Sequence, residues 1–280
     1  VASGGGGGAV TVTEPAGVQA GTLTITAGDL GASTLTQAAL AGSGAVVINT
    51  TGVGGTAVTG ATLLGTHSSQ TINMSTSSAV TIAAGSTAPA VTINAGGDTG
   101  TKAYINSATT ASVDTYTGSA GIDAVTLGLG GDIFISAGGV DVINIDFAAD
   151  TGIVLGAAAS AAIPTTAVST AGMDTITGFS AGTTIVNSTT NGNISAAVIL
   201  RNGATLGANT VGNAAMIVGT YASASNSFTP SLAGTDSLYF VDSAGTTGAA
   251  SSLNGVILIG YVDNLQNDTF ATGILTSVAG

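Results

Sequence analysis

The 280-residue chain has no cysteine and no tryptophan, four prolines, one histidine and two cations, Lys102 and Arg201. Each shortage excludes something. Without cysteine there is neither a disulfide framework nor a thiolate metal site. With a net charge of −12 and almost no Lys or Arg, the chain cannot neutralise a phosphate backbone, so nucleic acid and anionic membranes are excluded as partners. A single histidine, His67 in "LLGTHSSQT", leaves no H-E-x-x-H zinc arrangement. Its surroundings read as a loop or strand rather than a catalytic site. No pair of carboxylates is marked for acid–base work, and the chain reads as a non-enzyme. The longest apolar stretch, "GIVLGAAASAAIP" at 152–164, is too short to span a bilayer, and membrane insertion is not expected. Residues 1–13, "VASGGGGGAVTVT", carry no basic n-region and no apolar h-region of a secretory signal. Cysteine-free composition suits an extracellular bacterial protein that does without disulfides.

What is abundant is Gly, Ala, Thr, Ser, Val and Ile. Short alternating runs recur: "AVTVT" (9–13), "GTLTIT" (21–26), "AVVINT" (45–50), "QTINM" (70–74), "AVTIAAG" (79–85), "AVTINAG" (90–96) and "AYINS" (103–107). Each alternates β-branched and small polar residues and ends at Gly, Ala or Ser, the signature of a half-buried strand. Ile72, Ile82, Ile93 and Ile105 follow one another at steps of 10, 11 and 12. Every Phe and Tyr lies from Tyr104 onward. A sandwich core ~10 Å thick needs large side chains, whereas a thin coil can be filled by Val, Ile, Leu and Thr. The pattern therefore predicts an all-β protein, a β-solenoid or parallel β-roll with short rungs followed by a C-terminal β domain. β-sandwich domains are the alternative. Two helical turns are expected, in "STLTQAALAG" (33–42) and "GAAASAAI" (156–163). The expected organisation is a Gly-rich tether (1–8), a Thr/Val-rich solenoid (9–107), an acidic roll (108–160) and a C-terminal β domain (161–280). Longer strands are expected at "DSLYFV" (236–241) and "NGVILIGYV" (254–262), the latter as core.

The acidic roll carries the specific signal. Asp114, Asp123, Asp132, Asp141 and Asp150 stand nine residues apart, in "TTASVDTYT", "GSAGIDAVT", "LGLGGDIFI", "SAGGVDVIN" and "IDFAADTGI". Position four holds Ser112, Gly121, Gly130, Gly139 and Ala148; position eight holds Tyr116, Val125, Phe134, Ile143 and Gly152. This describes a glycine turn, then a very short strand whose position-eight residue enters a core. Two units per coil stack residues eighteen apart, placing Asp114, Asp132 and Asp150 on one edge and Asp123 and Asp141 on the other. Bare carboxylates one rung apart, ~4.8 Å, repel by roughly 1 kcal/mol in water and ~3–4 kcal/mol at an effective dielectric of 20. A hard cation taking oxygen ligands would relieve that repulsion, and Ca²⁺ suits flexible carboxylate and carbonyl ligation better than Mg²⁺ or zinc.

These nonapeptides resemble the RTX family of calcium-binding repeats, G-G-x-G-x-D-x-(apolar)-x. "GSAGIDAVT" and "SAGGVDVIN" carry the resemblance best, and "LGLGGDIFI" keeps the Asp and the apolar position. A looser G-x-D-x-aliphatic pattern recurs in "GIDAV" (121–125), "GVDVI" (139–143), "GMDTI" (172–176) and "GTDSL" (234–238). The C-terminal region is similar to that of bacterial surface-layer proteins exported by type I secretion. The resemblance implies Ca²⁺ ligation by Asp123, Asp132, Asp141, Asp114 and Asp150, with Gly121, Gly130 and Gly139 supplying turn carbonyls. It implies folding on calcium binding outside the cell and self-association into a lattice or filament at the bacterial surface. Cell-surface polysaccharide is a further candidate partner, although no aromatic platform marks one. The function expected is a building block of a calcium-dependent extracellular assembly; the alternative is a secreted, calcium-stabilised adhesin module.

Overall fold

The computed structural model describes residues 2–3, 10–12, 21–27, 33–37, 45–51, 56–60, 69–75, 80–84, 90–96, 98, 100, 102–106, 113–128, 130–145, 153–155, 166–179, 181–187, 196–199, 213–242, 251–262, 269–271 and 274–276. The protein is all-β: among these residues there is no α-helix, and one 3₁₀ turn at Ser223–Ser225 is the sole helical element. Residues group into two compact units, Val1–Ile143 and Asn144–Gly280.

In the first unit the chain runs through β1 (Ala2–Ser3), β2 (Val10–Val12), β3 (Leu23–Ala27), β4 (Ser33–Gln37), β5 (Ala45–Thr51), β6 (Thr56–Gly60) and β7 (Ser69–Ser75). It continues through β8 (Val80–Ala84), β9 (Val91–Asn94), β10 (Lys102–Asn106), β11 (Thr115–Thr117), β12 (Asp123–Leu127) and β13 (Ile133–Ile135); β14 (Val142–Ile145) crosses into the second unit. Odd strands pair only with odd and even only with even, β1-β3-β5-β7-β9-β11-β13 and β2-β4-β6-β8-β10-β12. All of these pairs are parallel.

Register gives the length of chain between stacked residues. Val10 pairs with Leu35, Leu23 with Val46 and Ala45 with Ser69, separations of 25, 23 and 24 residues. Lys102 pairs with Asp123, 21 residues on, and Thr115 with Ile133, 18 on. The repeat thus tightens to two nonapeptides where the aspartate series begins, as the spacing predicts. One register column runs Ile25, Ile48, Ile72, Ile93, Tyr116, Phe134, and another Leu35, Val58, Ile82, Tyr104, Val125. Ile72, Ile93, Tyr104, Tyr116, Val125 and Phe134 are all fully buried. Each such side chain contributes about 1.5–3 kcal/mol on burial. The steps of 10 to 12 residues between isoleucines are half-repeats: Ile72 stacks on Ile93 in one sheet, and Ile82 on Tyr104, the neighbour of Ile105, in the other.

One expectation changes. Residues 33–37, read as part of a helical turn, form β4, because neighbouring parallel strands supply the hydrogen bonds that a short Ser/Thr-rich helix cannot hold alone. β6 had no match among the quoted runs. Across the regional boundary at 107/108, β9 pairs with β11 and β10 with β12. The Gly run at 4–8 and the segment 156–163 lie outside the described residues.

The second unit contains β15 (Ile153–Leu155), β16 (Val168–Ser169), β17 (Asp174–Thr177), β18 (Thr184–Asn187), β19 (Ala196–Ile199) and β20 (Asn213–Ala222). Then follow β21 (Ser227–Pro230), β22 (Asp236–Asp242), β23 (Ser251–Ile259), β24 (Thr269–Ala271) and β25 (Ile274–Thr276). Its main path is β17-β23-β22-β20-β21-β16, antiparallel throughout except where β17 meets β23. Val256, Ile257 and Leu258 are all buried, so β23 is core on both faces.

Candidate functional site

Asp114, Asp123, Asp132 and Asp141 have nearly no exposed surface, between 0% and 2%. Their position explains it. Asp and the position-eight apolar residue are two apart, and in a strand residues two apart share a face. The aspartates therefore point the same way as Tyr116, Val125, Phe134 and Ile143, which are fully buried. Val113, Ile122 and Val140, one residue before an Asp, are instead about half exposed.

The two predicted columns are present. The Asp114 amide donates to Oδ1 of Asp132 (2.8 Å), and the Asp123 amide donates to Oδ1 of Asp141 (3.1 Å). Each carboxylate thus receives the backbone N–H of the aspartate eighteen residues earlier. The remaining oxygens are served too. Asp132 Oδ2 accepts from the Gly128 amide (2.9 Å), and Asp141 Oδ2 from the Ser136 hydroxyl (2.7 Å). Asp114 accepts from the Val91 amide (2.8 Å) and the Tyr104 hydroxyl (2.6 Å). Asp123 accepts from the Tyr116 hydroxyl (2.9 Å) and the Ser119 amide (2.8 Å). The Ser119 hydroxyl sits 2.9 Å from the Gly100 carbonyl and 3.2 and 3.3 Å from the two Asp123 oxygens.

Behind these bonds lies an aromatic stack. The rings of Tyr104 and Tyr116 are 5.6 Å apart, and those of Tyr116 and Phe134 5.5 Å, both near parallel. The Tyr104 and Tyr116 hydroxyls reach the Asp114 and Asp123 carboxylates, so one feature closes the core and the turn together. Burial pushes the Asp123 carboxyl up to about 6, against the lowering effect of its hydrogen bonds from Tyr116 and Ser119. Burial also raises Asp114 and Asp141. The Tyr104 and Tyr116 phenols are held far above their ordinary range, by burial first and then by Asp114 and Asp123 respectively.

The glycines of position four divide. Gly130 and Gly139 have φ of 117° and 87°, the left-handed region that glycine enters freely. Gly121 is not among the positive-φ residues, so the expectation of a left-handed turn glycine fails there. Its carbonyl instead lies under Gly139, where a Cβ would come within 2.0 Å of it. Gly118 is also constrained, since a Cβ there would lie 2.7 Å from Asp123 Oδ2. Asp150, Asp146 and His67 lie outside the described residues.

A calcium site needs six to eight oxygens turned toward one point. Among the described residues no three His, Cys, Asp or Glu side chains are grouped to hold a metal ion. All eight carboxylate oxygens of the four aspartates accept hydrogen bonds from N–H or O–H donors. The described carboxylates are thus engaged by the chain's own donors rather than grouped around one point.

Two features were not anticipated. Asn73 donates through Nδ2 to Oδ1 of Asn49 (2.9 Å), and Asn94 does the same to Asn73 (2.8 Å). The signal was available as the recurrent Ile-Asn of "VINT", "TINM" and "TINA", and in-register amides form ladders of this kind. The second is Asp236, the Asp of "GTDSL", which is 6% exposed and accepts the Tyr221 amide (2.8 Å) and the Gly260 amide (2.9 Å). Comparison with protein-family models, with curated proteins and with solved structures finds no match.

Proposed function

We propose that the chain is a non-catalytic building block of an extracellular assembly, whose first unit is a β-solenoid of stacked coils. The observation that carries this reading is the uninterrupted parallel register, in which odd strands stack on odd and even on even over successive repeats. The alternative of sandwich domains calls for antiparallel neighbours, which pairing within β1–β13 does not contain. The asparagine ladder and the isoleucine column are contacts between like residues on successive coils, the chemistry of a repeating stack.

Assembly follows from the same architecture. A stack of coils offers backbone N–H and C=O groups at its ends, and strands with few charges lack the usual defence against pairing with another copy. Head-to-tail contact of that kind extends into filaments or sheets. The bacterial surface is the setting that composition and resemblance favour. Calcium dependence, which the resemblance implies, is separable from the architecture.

Size-exclusion chromatography and electron microscopy of the purified chain test the proposal, in calcium and in chelator. Concentration-dependent growth into filaments or a lattice is the expected result. A particle that stays monomeric at high concentration in both conditions would replace the building block with a secreted adhesin module.

A further inference from the structure

The same short pattern, G-x-D-x-aliphatic, places a buried aspartate in both units. In the first, Asp123 and Asp141 sit between parallel coils; in the second, Asp236 sits where antiparallel strands meet. The nine-residue series is absent around Asp236. Its carboxylate nevertheless does what the others do, accepting one backbone amide from the end of β20 and one from the turn after β23. Asp98, in "GGDTG", is buried as well and accepts the Gly100 amide (3.0 Å). In parallel and antiparallel surroundings alike, the carboxylate collects backbone amides of the chain itself.

Two departures from the resemblance put serine donors at the carboxylates. In "GSAGID" the second glycine of the repeat is replaced by Ser119, whose amide and hydroxyl both lie at Asp123. In "SAGGVD" the first is replaced by Ser136, whose hydroxyl is bonded to Asp141. In "LGLGGD" the Gly128 amide takes that role for Asp132. At Asp114 and Asp123 tyrosine hydroxyls donate as well.

Building on the coil reading, we infer that these aspartate turns are hydrogen-bond staples, closed by the chain's own N–H and O–H groups, and that the coils close without a divalent cation. The staple joins residues eighteen apart, so it stitches each coil to the preceding one in the way a bridging ion would, using protons already present on the backbone. A buried carboxylate that gathers two or three donors recovers part of its own desolvation.

Residue-resolved amide exchange on the full, unmodified chain tests this, with CaCl₂ or EGTA as the two conditions. The Ser119, Asp123 and Asp114 amides are expected to be protected in EGTA and to gain less than about twofold in CaCl₂, since only a ligand that binds the folded state adds protection. Free exchange of these three amides in EGTA, with protection appearing only in CaCl₂, overturns the inference while leaving the coil architecture intact. If the strand amides of Val125 and Phe134 exchange freely in both conditions, the coil reading fails first and this inference falls with it. The thermal midpoint supplies a second readout, because an ion at a hundredfold its Kd would raise it by several degrees. No rise in CaCl₂ over EGTA supports the staple. So does a rise that survives in both the D123N/D141N and the D114N/D132N variants, because the ion is then elsewhere. A rise that disappears in either variant overturns the inference.

Discussion

The two units use aspartate alike and organise strands differently. In the first, Asp141 ties the chain to Asp123, eighteen residues earlier, and every neighbour within β1–β13 is parallel. In the second, Asp236 ties Tyr221 to Gly260 within strands that run mostly antiparallel. The motif therefore specifies a buried acceptor at the start of a strand, and leaves the direction of the next strand to the length of the connection. Short connections allow hairpins, while parallel neighbours require the chain to travel back to the same end before pairing. In the first unit that return trip is made by the strand of the other sheet.

The largest expected effect comes from removing an acceptor. Asp123→Ala leaves the Tyr116 hydroxyl and the Ser119 amide without their bonds in a fully buried place, a cost of about 4 kcal/mol. Asp236→Ala strands two amides in a part-buried place, for about 2 kcal/mol. Urea denaturation of the two variants measures both; equal losses would erase the distinction between buried coil and strand-end staples.

Glycine substitutions separate steric demand from backbone demand. Gly139→Ala puts a methyl against the Gly121 carbonyl at a positive φ, and a loss of about 3 kcal/mol is expected. Gly260→Ala has φ 72° but open space around its Cβ, so only the conformational cost of about 1 kcal/mol is expected. Denaturation midpoints compare them directly. A Gly139 variant as mild as the Gly260 one would show that the two turns do not approach so closely.

pH offers a sign rather than a size. The Asp123 carboxyl is pushed from 3.8 to about 6 on folding, chiefly by burial. Between those values the folded chain binds more protons than the unfolded one, so this group's contribution to stability falls as pH rises through that window and is level above it. Asp114 and Asp141 shift in the same direction. A resident cation would give the opposite slope, because it binds the ionised carboxylate. Thermal midpoints measured across that window in CaCl₂ and in chelator decide between them.

The smallest effect is expected at the asparagine ladder. Asn73→Ala removes a bond to Asn49 and one from Asn94, both at least partly exposed, for about 1 kcal/mol. A marked loss of higher oligomers in this variant, with monomer stability little changed, would show that the ladder face also serves contacts between copies.

Much of this was legible in the residues. Alternation of Val and Ile with Thr located β2, β3, β5, β7, β8, β9 and β10 close to their observed bounds, because half-buried strands impose a period of two. The nine-residue aspartate series matches the eighteen-residue register by which Thr115 pairs with Ile133. "STLTQ" escaped because its alternation is weak and its partners lie more than twenty residues away on either side. The carboxylates' surroundings escaped for a different reason. Spacing places Asp123 on the same face as Val125, but which donors gather there depends on Tyr116, Ser119 and the turn's own amides folding over it.

By itself, the order of residues determined the strand period and the eighteen-residue spacing of the aspartate series, since these depend on local geometry and sequence separation alone. Only the tertiary structure decided what each carboxylate meets. Those partners come from neighbouring turns and coils, and whether a buried negative charge is answered by a hydrogen or by a metal ion depends on how those groups converge.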